Sequence, residues 1–224
     1  MRKKIRKWIV HATLLAAGWG LCACSAPPPP VAAPAIAPVP ALPAPHAAYR
    51  IVAGESLVAI TVRRSGPFAR IGHDHVVATR QLEGFIDGSR AELRFRLDQL
   101  SVDEPGLRRE AGLATEPSAD AVEGTRRNMF SKVLQADAYP WVLVRAELEP
   151  GGARDWLKAA ITLHGITRDY RVPVVLRDDG GTMRANGAFV VKQTDFGITP
   201  FAVLGGALSV KDELELRFAV SARR

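Results

Sequence analysis

The side chains best suited to do chemistry in this sequence are three histidines. Gly72-His73-Asp74-His75 runs directly into the apolar stretch Val76-Val77-Ala78. In an extended backbone His73 and His75 project on one face and Asp74 on the other, because strand side chains alternate with period two. Two imidazoles so placed can chelate one zinc ion, and His164 would complete a three-histidine site with an open position. That geometry activates a bound water. The competing reading is plainer: a histidine at a strand end hydrogen-bonds a backbone group or a carboxylate. On that reading His164, beside Gly165 at a tight turn, lies on a different edge from His73 and does not join a common site. No GxSxG nucleophile elbow, P-loop or GxGxxG accompanies these histidines. The acidic pairs Asp103-Glu104 and Asp178-Asp179 read as solvated loops.

The two cysteines belong to the N-terminus. Residues 2–7 hold five positive charges, and Trp8 to Leu21 is a mostly apolar run of 14 residues. That run is shorter than the roughly 20 residues needed to span a bilayer, and a basic stretch before it describes a secretory signal peptide. Leu21-Cys22-Ala23-Cys24 resembles a bacterial lipobox, which implies cleavage after Ala23 and lipid attachment at Cys24 through diacylglyceryl and fatty acyl chains such as palmitate. Ser25 stands where an inner-membrane retention signal has Asp, so the resemblance implies the periplasmic face of the outer membrane. The rival is a soluble periplasmic protein. With Cys22 removed and Cys24 acylated, no thiol remains for catalysis or metal binding.

From Ala26 to Pro45 there are nine prolines, the remainder being almost entirely Ala and Val. Proline removes the backbone donors that helix and sheet require, so the spacing predicts an extended tether at about 3.1 Å per residue. The chain therefore divides into a signal peptide (1–23), a lipidated Cys and Pro/Ala-rich tether (24–48) and a folded domain (49–224). The division also explains the charge. The whole chain has 30 Lys+Arg against 23 Asp+Glu, a net +7. Removing the five leader charges leaves 25 against 23, or +2, which argues against nucleic acid as a partner.

Within the domain, period-two alternation predicts strands. Leu93, Phe95 and Leu97 alternate with charged residues, as do Val142, Val144, Ala146 and Leu148, and again Leu214, Leu216, Phe218 and Val220. Shorter stretches at 56–63, 75–79, 82–86, 156–163, 170–176 and 182–192 read the same way, punctuated by Gly and Asp clusters. One segment breaks the period: Ser118 can cap a helix over Ala119–Leu134, with Val122, Met129, Phe130 and Val133 on one face. Eight or more strands on short turns predict an all-β fold, an antiparallel eight-stranded barrel with one inserted helix. A two-sheet sandwich is the alternative.

Several ordered pieces carry a resemblance. Tyr49-Arg50-Ile51 with Ser56–Ile60, Met129-Phe130 through Leu134, Ala138-Tyr139-Pro140, Ile161–Arg168, Asp195-Phe196-Gly197-Ile198, and Gly206 with Val210–Glu213 resemble, in order, the motifs of the YceI-like family. That resemblance covers essentially the whole domain. It implies an extended lipocalin-like barrel, secreted or periplasmic, which in some members holds a long polyisoprenoid chain.

The alternation then nominates inward residues: Leu93, Phe95, Leu97, Val142, Val144, Leu148, Phe189, Val191, Leu214, Leu216 and Phe218. They would line a ligand cavity if the barrel is hollow and form a packed core if it is not. The first functional expectation is a lipid-anchored periplasmic protein that sequesters or carries an isoprenoid or other long amphiphile, without covalent chemistry or resident cofactor. The alternatives are a metal-binding protein or metal-dependent enzyme using the three histidines, and a packed barrel acting as an envelope interaction module.

Overall fold

The computed structural model describes residues 48–149 and 155–224. The expected signal peptide, lipid-attachment site at Cys24 and tether up to residue 47 lie outside the described residues, as do residues 150–154.

In chain order the elements are β1 (Tyr49–Ile51), β2 (Leu57–Ser65), β3 (His75–Thr79), β4 (Glu83–Asp87), β5 (Arg90–Arg96), β6 (Ser101–Val102), α1 (Pro105–Glu110), α2 (Ala119–Asn128), β7 (Trp141–Glu149), β8 (Asp155–Leu163), β9 (Ile166–Asp178), β10 (Thr182–Lys192), β11 (Ala202–Val203) and β12 (Leu208–Arg223). Every pairing is antiparallel. Following the pairings from β1 through β4, β5, β7, β8, β9, β10 and β12 returns to β1, so eight strands close a ring. Closure satisfies edge donors and acceptors that an open sheet would leave bare. The predicted eight-stranded barrel is therefore the architecture found, and the sandwich is not.

β12 explains how the ring widens. Its last residues pair with β1, at Ala222 and Arg223, while Ser209–Ala219 pair on the same side with β2. From β2 the sheet continues into β3 and β6. The inserted helix lies against β6. Ser118 caps it, its hydroxyl accepting from the Ala121 N–H at 3.3 Å. After Asn128 the helix does not stop but loosens into a π turn over Met129–Val133, with the Leu134 N–H reaching the Met129 carbonyl. Such turns insert a residue into the helical register and re-aim side chains. α1, a six-residue helix started by Pro105, was not signalled by any apolar periodicity.

β9 and β12 are 13 and 16 residues long. At about 3.3 Å per residue these strands run roughly 40–50 Å, so the barrel is tall for its strand number. Its two ends differ. The β4–β5 and β9–β10 turns and the start of β1 lie at one end, since Thr182 pairs with Arg223 and Asp87 with Arg90. The β8–β9 turn, the start of β12, His75 and α2 lie at the other.

One strand glycine is dictated by packing. Gly187 faces Phe218 across β10 and β12, and a Cβ there would sit 2.5 Å from the Phe218 ring and 2.6 Å from the Pro173 carbonyl oxygen. The ring could shift but the neighbouring backbone could not. Gly187→Ala is expected to destabilise the domain by about 1–3 kcal/mol in a urea melt, the usual cost of overpacking. An unchanged midpoint would show that β9 and β10 yield at this point.

Candidate ligand-binding site

The barrel is hollow. Its interior is a cavity of about 540 Å³ that runs from Ser89 and Arg90 at one end to Ile71 and Val203 at the other. This lies within the roughly 300–1,000 Å³ of known ligand pockets and speaks against a packed barrel. The wall is built by the period-two alternation. Leu93 and Phe95 stand opposite Val144 and Val142, Leu148 opposite Leu157, and Phe189, Val191 and Phe218 share the β10–β12 wall with Leu214 and Leu216. All of them line the cavity, as does Leu97, although Leu97 does so from a single 3-10 turn after β5 rather than from a strand. The eleven residues nominated as inward are thus brought together around one space. Arg94, Arg96, Glu147, Lys192 and Glu215, which alternate with them, are absent from the lining, whereas Arg217, between Leu216 and Phe218, contributes to it.

Polar groups enter the lining chiefly at the ends. At the α2 end they are Arg64, His73, His75, Thr125, Asn128, Gln193 and Ser209. Thr125 and Asn128 come from α2, and Met129, Val133 and Leu134 from its π turn and the residue after it, so one continuous helical segment carries both the polar and the apolar part of this end.

His73 and His75 both face the cavity, their ring centroids 6.3 Å apart. Asp74 points the other way, accepting from the Arg64 N–H at 2.8 Å and lying 3.5 Å from the Arg63 guanidinium. His164 does not join them. It occupies the β8–β9 hairpin with φ of 52°, followed by Gly165 at 75°, the paired left-handed residues of a tight two-residue turn. Its ring packs 4.2 Å from that of Tyr139. The three-histidine metal site is therefore corrected: the turn geometry fixes His164 elsewhere, and no group of three His, Cys, Asp or Glu side chains among the described residues could hold a metal ion.

What the spacing did not reveal is the partner of His75. Nδ1 of His75 lies 2.6 Å from Oδ2 of Asp103, and Oδ1 of Asp103 accepts from the Val76 N–H at 3.0 Å and from the Arg108 guanidinium. Asp103 is 7% exposed and Arg108 2%, so this is a buried charge cluster and not the solvated loop expected of an acidic pair. Arg108 also donates to the Asp74 carbonyl at 2.8 Å and to the Thr115 carbonyl. Burial pushes the Asp103 pKa up, but the bonds from His75 and the Val76 N–H, the charge of His75 and the bond from Arg108 outweigh it and hold the carboxyl below its ordinary value. A signal existed in Asp103 and Arg108 flanking Pro105, but the contact to His75 spans 28 residues and no local pattern encodes it.

On its other side, Nε2 of His75 lies 3.5 Å from Oγ1 of Thr125 on α2. The order carboxylate–imidazole–hydroxyl invites comparison with a nucleophile array, yet an activated hydroxyl sits at about 2.6–3.2 Å from its base. The arrangement does position the helix: a buried ionic anchor fixes the His75 ring, and that ring faces α2 at the cavity end.

The model of the YceI-like domain matches residues 49–222. BcnA of Burkholderia cenocepacia is similar in structure at a TM-score of 0.53, with 14% identity over 77% of this chain and 99% of that one. A polyisoprenoid binding domain from Saccharophagus degradans, described as implicated in plant cell wall breakdown, gives a TM-score of 0.53 and 11% identity over 78% of this chain and 97% of that one. At these identities the two structures bear on the fold. Among curated proteins none matches the sequence.

Proposed function

The chain belongs to the YceI-like domain family, and from that premise we propose that it is a binding protein whose barrel sequesters or carries an isoprenoid or another long amphiphilic lipid. The observation that carries this reading is the apolar cavity running along the barrel, with polar side chains concentrated near its ends. Each buried methylene gains about 0.8 kcal/mol, so a long hydrocarbon chain is held by summed contacts and needs no directional partner along its length. A polar head group would sit among His73, His75, Thr125 and Asn128. The solved domain from Saccharophagus degradans, named for polyisoprenoid binding, supports the same class of ligand. The signal-like leader and the Leu21–Cys24 lipobox resemblance support placement at the periplasmic face of the outer membrane, with the barrel tethered through Cys24.

Organic extraction and mass spectrometry of natively purified protein test the proposal. The expected result is a co-purifying lipid with a long, largely unsaturated chain at a substantial molar fraction. Repeated extraction with no lipid, together with no uptake of an added isoprenoid, would sink it.

A further inference from the structure

We propose that the loops around the α2 end of the barrel form a docking face for a lipid bilayer bearing anionic head groups, through which the ligand enters and leaves the cavity. This inference rests on the lipid-binding reading above and adds the surface on which exchange takes place.

Six large hydrophobic side chains are exposed among the described residues. Val175 and Val190 stand singly on the barrel strands β9 and β10, which is ordinary for a protein surface. The other four are Phe68 (48% exposed), Ile71 (63%), Val203 (39%) and Leu204 (62%). They occupy two segments, the 66–72 loop and 202–208, which runs from β11 through its turn to the first residue of β12, and these are tied together. The Phe68 N–H donates to the Ala207 carbonyl at 2.8 Å, and the Leu208 side chain packs so closely on Gly72 that a Cβ there would sit 2.8 Å from it. The same loops border the cavity, since Ile71, Val203 and Leu208 line its mouth. The exposed patch and the apolar interior are thus one continuous surface, and a contiguous exposed patch marks an interaction site.

The backbone holds that patch outward against its own preference. Leu204 has a φ of 53°, followed by Gly205 at 65° and Gly206 at 90°. A leucine in the left-handed region is strained by its Cβ, so the turn pays conformational energy to present Leu204 to solvent.

Charge selects the partner. The segments 66–72 and 202–208 contain no acidic residue and one cation, Arg70; the residues flanking them carry Arg63, Arg64 and Lys211 against Asp74, Asp212 and Glu213, of which Asp212 is engaged by Thr194 and Glu213 lies 3.9 Å from Lys192. Arg63 and Arg64 are engaged by Asp74, and Arg63 also by Glu215. Arg70 and Lys211 are exposed and make no ion pair among the described residues. Exposed apolar side chains next to the unpaired cations Arg70 and Lys211 fit an anionic membrane, which offers acyl chains and negative head groups together. Contact at this mouth lets a water-insoluble chain pass from bilayer to barrel without crossing water.

The test uses residues 48–224, a unit that supplies the whole ring and its core and that matches nearly the full length of the solved relatives. The protein is mixed with vesicles of phosphatidylethanolamine and phosphatidylglycerol, and sedimented. Uptake of a fluorescent isoprenoid from detergent micelles is measured in parallel. Wild type is expected to sediment with these vesicles, less so in high salt or with phosphatidylcholine alone. Phe68→Asp with Leu204→Asp is expected to cut the bound fraction by about tenfold or more, while uptake from micelles stays intact. Aspartate tolerates left-handed φ, so the second change does not strain the turn further. Val175→Asp with Val190→Asp, on the barrel strands, is expected to bind vesicles as wild type does. Micellar uptake without vesicle binding would overturn the docking face and assign the patch to a protein partner instead. Equal vesicle binding by the Phe68/Leu204 variant would overturn it as well. Absence of uptake from micelles would instead remove the lipid-binding reading, and the docking inference with it.

Discussion

Replacing Asp103 with alanine is expected to destabilise the domain by about 3–5 kcal/mol, enough to leave it poorly folded at room temperature. The magnitude follows from what is left behind. Arg108 is 2% exposed and would keep its charge without a counter-ion, and the Val76 N–H and the His75 ring would each lose an acceptor. Breaking one side of a buried ion pair costs far more than the pair contributes net, because the remaining charge is stranded away from water. Chemical denaturation of wild type and variant measures the difference, and a loss below about 1 kcal/mol would show that water reaches Arg108.

The same carboxylate sets an acid limit. Its pKa in the folded protein is held below the ordinary value of about 3.9. A carboxyl lowered on folding contributes stability that is fully present above the unfolded value, and that contribution is lost as pH falls through the folded value. Stability should therefore decline as pH falls below about 4. Asp103→Asn, already uncharged, should lose less stability than wild type over that acid range, although it starts lower. Parallel pH dependences in the two proteins would show that other carboxylates set the acid limit.

Filling the cavity should weaken loading about fiftyfold without harming the fold. Ala159 is buried in the middle of β8 and faces the cavity opposite Ala146. An indole in its place, in Ala159→Trp, projects into the lumen and displaces ligand. Losing about three methylenes of contact at about 0.8 kcal/mol each costs about 2.4 kcal/mol, or about fiftyfold in affinity. The ligand-free variant should melt no lower than wild type, since apolar filling of a cavity commonly stabilises. Val190→Trp, exposed on β10, serves as the matched control and should load normally. Equal loading of both variants, with both folded, would place the ligand outside the barrel. Ala159→Leu gives a milder version should the indole prove too large.

Much of this architecture could be read from alternation. A strand buried on one face must repeat every second residue, so Leu93-Phe95 or Leu214-Leu216-Phe218 announce both the strand and the side of it that faces the lumen. The β8–β9 hairpin was marked by His164-Gly165, and the helix start by Ser118, because turns and caps are set by a few adjacent residues. The placement of His73 and His75 on one face with Asp74 opposite came from the same local rule. The ends of strands were less legible. β12 begins at Leu208, well before its alternation becomes regular, because pairing with β11 and β2 extends it across a bulge between Val210 and Leu214.

Three features had no local signature. Alternation names inward residues but is silent on whether opposite walls meet, so a packed core and an open lumen share one sequence pattern; only the closed ring with its side chains in place shows the cavity between the walls. The engagement of Asp103 by His75 and Arg108 joins a strand start to an irregular loop and a six-residue helix, and its energy comes from burial that those residues do not carry individually. The apolar rim arises because two loops about 135 residues apart are bonded at Phe68 and Ala207. Local structure follows from neighbours within a few residues, whereas cavities, buried charge pairs and surface patches depend on which distant segments closure of the sheet brings side by side.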